Sequence, residues 1–117
     1  MSADNGIEKA LVEAVSAFLA DEMSMTPTSV SVDVHPDSIV VTFRGATSQG
    51  EKACARDLQA RERIERCYRK LFQFTAPSLN ATVGPIAGRP VEQSRLSLDV
   101  VAGDGVILFT CRKQAYE

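Results

Sequence analysis

Two pairs of alternating segments constrain the fold of this chain most. In the first pair, residues 30–34 (VSVDV) and 39–43 (IVVTF) flank the turn residues His35-Pro36-Asp37-Ser38. In the second pair, residues 96–100 (LSLDV) and the mostly apolar residues 106–111 (VILFTC) flank Gly103-Asp104-Gly105. Successive side chains of a strand point to opposite faces of a sheet, so alternation indicates half-buried strands. Each pair is therefore predicted to be an antiparallel hairpin.

The segment before the first hairpin has helical periodicity. Its apolar residues recur every three or four positions and include Ile7, Leu11, Val15, Phe18 and Leu19. Asn5 followed by Glu8 has the pattern of a capping box. The residue before a proline avoids the helical conformation, so Thr26-Pro27 lies outside the helix. A helix is predicted over residues 6–23.

The segment between the hairpins predicts a longer helix. Ser48 and Glu51 form a second capping-box pattern, and a helix is predicted over residues 50–76. Prolines inside a helix remove a donor and clash with the preceding turn, so we expect a kink at Pro77 and a shorter helical piece to residue 86. Gly88 suits a left-handed cap at the end. One apolar stripe is expected to pack on the sheet: Ile64, Cys67, Tyr68, Leu71 and Thr75, continued by Leu79, Val83 and Ile86.

The order of these elements is α-β-β-α-β-β. The predicted fold class is α+β, an αββαββ two-layer sandwich with a four-stranded, mainly antiparallel sheet and both helices on one face. The length of 117 residues suits one domain spanning residues 1–117. The sequence shows no linker, repeat or low-complexity segment that would divide it.

Composition and charge limit the functions that the chain can have. The net charge is −2 and the pI about 5.4, which disfavours binding of a polyanion. No apolar run approaches the ~20 residues that a spanning helix needs. The first ten residues lack a basic start followed by an apolar stretch, so no secretory signal is predicted. Three cysteines without a CxxC spacing are typical of reduced thiols, and a cytoplasmic protein is expected.

The charge is uneven along the chain and is most positive within the predicted long helix. Residues 51–70 carry seven bases and four acids, whereas residues 1–46 carry seven acids and two bases. Ion pairs at four-residue spacing, each worth about 0.2–0.5 kcal/mol, are expected on a solvated helix face. Four are predicted: Asp57–Arg61, Arg61–Glu65, Glu62–Arg66 and Glu65–Arg69.

A solvated face is the favoured interpretation of these arginines, and two others stay open. The first is a patch for an anion, a lipid headgroup or a protein partner, with Arg61 and Arg66 beside the predicted kink at Pro77 as its binding residues. The second is sequence-specific binding of nucleic acid, which is disfavoured because the domain is acidic and contains no tryptophan.

The sequence predicts no catalytic residue, metal site or cofactor. His35 is the single histidine, and its place before Pro36 is typical of a surface turn. Cys67 and Cys111 fall on apolar faces and are expected to be packing residues, while Cys54 is expected to be partly exposed. The glycines do not form a phosphate-binding or nucleophile motif.

Several short motifs, in order along the chain, resemble those of the MpsC-like family. This family comprises small bacterial domains of unknown function, named for a Na+-translocating, membrane-potential-generating system. The motifs are PTSVSV at 27–32, DSIVVTFRG at 37–45, EKACA at 51–55, ARERI at 60–64, GRPV at 88–91 and LFTC at 108–111. The resemblance implies an association with ion transport, and no catalytic residues follow from it.

Together these observations predict a soluble, non-enzymatic accessory or regulatory domain that acts through protein association. A homodimer is expected, because helices on one side of a sheet leave its other face uncovered. Val40, Ile107 and Phe109 are predicted to make that face partly apolar. A membrane-protein partner is a further expectation, without direct membrane insertion or nucleic-acid binding. The alternative is a regulatory domain that binds a small ligand or anion.

Overall fold

The computed structural model describes residues 3–112, which form three helices and four strands. The elements in chain order are α1 (Ala3–Glu22), β1 (Ser29–Val34), β2 (Ser38–Arg44), α2 (Gln49–Cys54), α3 (Leu58–Ala87), β3 (Val91–Asp99) and β4 (Asp104–Cys111). The strands form one sheet in the order β1-β2-β4-β3, and every neighbouring pair is antiparallel. The predicted α+β class, with a four-stranded antiparallel sheet, is confirmed.

The core lies between the helices and one face of the sheet. On β2 the side chains of Ile39, Val41 and Phe43 are fully buried, and on β4 so are Ile107 and Phe109. The pairing registers place these side chains on the same face. They form one cluster with residues of α1, among them Leu11, Val15, Phe18 and Leu19, and of α3, among them Phe72, Ala76, Leu79 and Val83. Hydrophobic burial therefore fixes both long helices through their contacts with this single face.

The predicted start of the first helix is wrong. α1 begins at Ala3, so Asn5 lies within the helix rather than before it. The capping-box pattern is short and occurs by chance inside helices, whereas the apolar periodicity from Ile7 onward located the helix correctly.

The predicted long helix is divided at a different place. α2 ends at Cys54 and α3 runs without interruption from Leu58 through Pro77 and Pro85 to Ala87. The predicted capping box of α2 is confirmed: the Glu51 amide donates to Ser48 Oγ (3.1 Å) and the Ser48 amide to Glu51 Oε1 (2.9 Å). Gly88 has φ 73°, as the left-handed cap requires.

The break between α2 and α3 is explained by Asp57. Its carboxylate accepts from the Ala60 amide (2.9 Å) and caps α3, so the chain starts a new helix there. Pro77 does not end α3, because Phe72 and Ala76 before it and Leu79 and Val83 after it are all buried in the core. Burial of this stripe outweighs the loss of one backbone hydrogen bond at the proline.

The second hairpin is longer than predicted. β3 begins at Val91 rather than near residue 96, and Asp104 and Gly105 belong to β4 rather than to the turn. Gly105 lies opposite Phe43 in the sheet, and a Cβ atom at Gly105 would collide with the Phe43 ring. The glycine therefore makes room for a core aromatic side chain.

Candidate functional site

The sheet face opposite the core carries a row of four aligned residues, one on each strand. Asp33 pairs with Val40, Val40 with Leu108, and Leu108 with Arg95. Their side chains alternate with those of the core and therefore point to the opposite face. Val40 and Leu108 are half-buried, and the two charged residues at the ends are exposed. We call these four residues the cross-sheet row.

A second row lies beside it and is mostly hydroxylic. It consists of Ser31, Thr42, Val106 and Ser97, again one residue on each strand. Val106 is 37% exposed. The centre of this sheet face is therefore apolar, at Val40, Val106 and Leu108, and its border is polar.

The sequence-based prediction for this face was partly wrong. Val40 lies on it as expected, but Ile107 and Phe109 point into the core instead and are fully buried. Their neighbours Val106 and Leu108 take the outer positions. The four residues VILF at 106–109 contain no polar residue to mark their phase, so the sequence leaves open which set is buried.

The amino-terminal half of α3 also exposes apolar side chains. The buried residues of α3 all lie from Phe72 onward. Before and around that point, Ile64 is half-buried, Cys67 is exposed, Leu71 is 37% exposed and Phe74 is 83% exposed. We call Ile64, Cys67, Leu71 and Phe74 the outer seam; its spacing of three, four and three residues places it along one line of the helix.

The predicted packing stripe of α3 is therefore wrong in part. Ile64, Cys67, Tyr68, Leu71 and Thr75 were expected to cover the sheet, but none of them is fully buried. Leu79 and Val83, predicted to continue this stripe, are buried in the core, where Phe72 and Ala76 join them. Tyr68 and Ile86 are partly buried against the same core. Cys67, expected to be a packing residue, is exposed.

A groove of about 300 Å³ lies along the outer seam, between α2 and α3. Its lining residues are Glu51, Arg63, Ile64, Cys67, Tyr68 and Leu71. The Tyr68 hydroxyl donates to Glu51 Oε2 (2.6 Å) and so attaches α2 to α3. Burial raises the pKa of Tyr68 to about 12, with further contributions from the Glu51 hydrogen bond and charge.

The structure does not bring the two predicted anion-binding residues together. Arg61 pairs with Glu65 (3.2 Å) and Asp99 (3.6 Å), so its charge is already compensated. Arg66 is exposed, and five residues correspond to a rotation of about 140° around the helix away from Arg61. Pro77, where the pocket was expected, lies about 24 Å from Arg61 along the axis, and α3 is continuous there.

The other predicted ion pairs give a mixed result. Arg61–Glu65 is confirmed, and among residues 3–112 the remaining three predicted pairs are not within ion-pair distance. Asp57 acts as a helix cap instead. Glu65 has a second role, because its Oε2 accepts from the Val100 amide (3.2 Å) and joins α3 to the β3–β4 turn.

A shallow hollow of about 460 Å³ lies where α3 passes the free edge of β3, between Asn80 and Val91. Asn80 lines this hollow, and its buried Oδ1 has no hydrogen-bond partner in the described part of the chain; the same is true of Ser94 Oγ on β3. The Arg89 guanidinium beside this hollow donates to the backbone oxygens of His35 and Pro36 and so joins the α3–β3 connection to the β1–β2 turn.

The two remaining cysteines differ in their exposure. Cys54 is exposed, and Cys111 is buried, which raises the pKa of its thiol. Within residues 3–112, the histidine, cysteine, aspartate and glutamate side chains do not gather into a group of three that could hold a metal ion. None of the helices formed by these residues has both the length and the apolar character needed to cross a membrane.

Comparison with known proteins identifies a family for this chain. No curated protein and no solved structure matches it. Residues 4–113 match the family described as Na+-translocating membrane potential-generating system (MpsC). This match covers nearly the whole chain and confirms the family that the sequence resembles. The protein therefore belongs to the MpsC family.

Proposed function

We propose that this protein is a soluble, cytoplasmic, non-enzymatic accessory or regulatory domain that works through protein association, as a homodimer formed by the outer sheet face. The cross-sheet row is the observation that carries the proposal. Across the four strands this row has an acid, two apolar residues and a base: Asp33, Val40, Leu108 and Arg95. The face is therefore complementary to the same face of a second copy.

The complementarity follows from twofold symmetry. In the proposed dimer the outer sheet faces of two copies stack against each other. The twofold axis lies between the two faces, runs parallel to the strands and passes between β2 and β4. β1 of one copy then lies over β3 of the other, and β2 over β4, because a twofold interface uses the same patch on both copies. Asp33 of one copy meets Arg95 of the other, and Val40 meets Leu108. Stacked sheets lie about 10 Å apart with strands nearly aligned, which leaves these side chains in contact.

A neighbouring pair of charges obeys the same symmetry. Because Phe43 pairs with Gly105, the next residues, Arg44 and Asp104, also lie opposite each other on β2 and β4. The same twofold operation places Arg44 of one copy over Asp104 of the other. Four ion pairs at the border of an apolar centre would fix the register of two sheets more than they would strengthen the contact.

The size of this face predicts a dimer of modest strength. Four strands about 4.8 Å apart and about seven residues long give a face of roughly 20 by 23 Å. This is smaller than the ~800 Å² per partner of a standard stable interface. Further burial of the half-buried Val40 and Leu108 and of the exposed Val106 is worth about 1 kcal/mol each. Over both copies these side chains contribute about 6 kcal/mol before the cost of association. We therefore expect a weak dimer, with a dissociation constant of about 10 μM or more.

The link to a membrane ion-transport system is part of the proposal and is supported by the family description alone. A dimeric accessory domain would present two identical surfaces to such a system. Binding of a dimer to two sites at once would compensate for weak individual contacts.

Light scattering after size exclusion tests the dimer. The wild-type chain is expected to be mainly dimeric at about 100 μM, and Leu108→Asp to be monomeric. Val101→Asp, at an exposed apolar residue of the β3–β4 turn, is the matched control and should stay dimeric. Since Leu108 is half-buried, circular dichroism must show that its variant is folded; Arg95→Asp, at an exposed position, is the second variant. A wild-type monomer at ~100 μM would contradict the proposal.

A further inference from the structure

α3 differs from an ordinary surface helix because it carries two apolar stripes. One stripe, Phe72, Ala76, Leu79 and Val83, packs in the core of this chain. The other is the outer seam, which has the alternating three- and four-residue spacing of helices that pack against another helix. A surface helix needs only one apolar stripe to attach to its own domain. The second stripe therefore fits a partner outside residues 3–112.

The border of the outer seam is basic on one side. Arg63 and Lys70 immediately precede Ile64 and Leu71, so they occupy equivalent positions one heptad apart. Arg66 lies further from the seam on the same side. Within residues 3–112 these three cations have no carboxylate at ion-pair distance. A partner with acidic residues along this border would gain charge pairs that this chain does not provide itself.

We propose that the outer seam binds an amphipathic helix of another protein, whose apolar residues recur at three- and four-residue spacing and whose flank facing Arg63 and Lys70 is acidic. This inference rests on the proposed role in protein association, but not on the sheet-face dimer. The seam and the cross-sheet row lie on different elements and share no residue.

A second copy of α3 is a poor occupant of the seam. In an antiparallel pair of identical helices, equivalent flanking positions face each other, so Arg63 and Lys70 would oppose the same cations of the other copy. In a parallel pair they would face Tyr68 and Thr75, which are neutral. Neither arrangement brings a carboxylate to the basic border.

A lipid surface fits the seam less well than a helix. The groove of about 300 Å³ between α2 and α3 is concave and can receive an apolar side chain from a facing helix. A bilayer surface is flat and gives no such complement. The chain as a whole has a net charge of −2, which opposes an anionic membrane and does not favour a neutral one.

The test uses two synthetic three-heptad peptides that are titrated into ¹⁵N-labelled protein. Both carry leucine at the seam-facing positions; one has glutamate and the other lysine at all flanking positions. Each peptide repels itself, so neither forms its own coiled coil at neutral pH. The glutamate peptide is expected to shift the amides of residues 60–75 and to bind about tenfold or more tightly than the lysine peptide at low salt. Phe74→Asp should abolish this binding.

Charge reversal is the decisive variant. Arg63→Glu with Lys70→Glu replaces two exposed residues and should reverse the preference, so that the lysine peptide binds more tightly. Light scattering of this double variant should still show the sheet-face dimer. That result separates a failure of this inference from a failure of the proposed dimer.

Four outcomes would overturn the inference. They are absence of binding by either peptide, equal binding by both, shifts that map outside residues 60–75, and an unchanged preference after charge reversal. Two other occupants are also tested. Binding to vesicles of phosphatidylserine and phosphatidylcholine that Phe74→Asp abolishes would make the seam a membrane surface. A dimer that survives Arg95→Asp but not Phe74→Asp would make it a contact between copies.

Discussion

At the scale of single residues, the contact between Tyr68 and Glu51 holds the short helix α2 in place. We predict that Tyr68→Phe lowers the free energy of unfolding by about 1 kcal/mol, since a partly buried hydrogen bond to a carboxylate is lost. Urea denaturation measures this loss. An unchanged unfolding midpoint would show that α2 is held by other contacts.

The same contact makes a pH-dependent prediction. The pKa of Tyr68 is raised from 10.0 to about 12 in the folded chain, so the neutral phenol is favoured by folding. Its contribution to stability is fully present below pH 10 and is lost as the pH rises toward 12. In Glu51→Gln the pKa should fall but stay above 10, because burial is the largest cause of the shift. Titration of the phenolate absorbance measures it; an unshifted pKa would exclude a role of Glu51.

Gly105 gives a second residue-scale prediction. Gly105→Ala should destabilise the fold by about 1–3 kcal/mol, because the added methyl group collides with the buried Phe43 ring. Gly6→Ala is the matched control: its Cβ would meet no atom within 4 Å, and a helical alanine should stabilise α1 by about 0.5–1 kcal/mol. Equal thermal midpoints for both variants would mean that Phe43 does not pack against Gly105.

At the scale of the elements, α3 continues through Pro77 at the cost of a backbone hydrogen bond. Replacing this exposed residue by alanine restores the donor and removes the ring clash. We expect Pro77→Ala to raise the free energy of unfolding by about 1–3 kcal/mol. Denaturant unfolding tests this. A decrease in stability would show that the proline ring itself makes a contact that the fold needs.

Strands were easier to predict from this sequence than helix boundaries. The alternation in residues 30–34 and 39–43 has a period of two and is bounded by turn residues, so local chemistry determines the hairpin. The boundary between α2 and α3 depends on one side chain, Asp57, which the sequence equally allows to pair with Arg61. The continuity of α3 through Pro77 depends on core contacts with α1 and the sheet, which the local sequence does not contain.

The candidate surfaces were predictable only in part. The sequence did reveal the apolar residues of the outer seam, but it assigned them to the core. The informative signal was the presence of two stripes on one helix, because Phe72, Ala76, Leu79 and Val83 already suffice for packing. The cross-sheet row was beyond sequence reasoning, since it depends on the pairing of β2 with β4, which are far apart in the chain.

At the scale of the whole molecule, two different faces are available for association. The outer sheet face has charges of both signs in a symmetric arrangement, which suits a second copy. The outer seam has charge of one sign at its border, which suits a different partner. A domain with both features could connect its own dimer to another protein, which is the behaviour expected of an accessory subunit.

The most direct test of this account is a charge exchange across the cross-sheet row, measured by sedimentation equilibrium. Asp33 and Arg95 lie three strand spacings apart in one chain, about 14 Å, so they cannot pair within it. We predict that Asp33→Arg and Arg95→Asp each weaken the dimer at least tenfold, and that the double variant restores it, because the exchanged charges meet again across the twofold axis. Single variants that dimerise like the wild type, or a double variant as weak as the single ones, would contradict the sheet-face dimer.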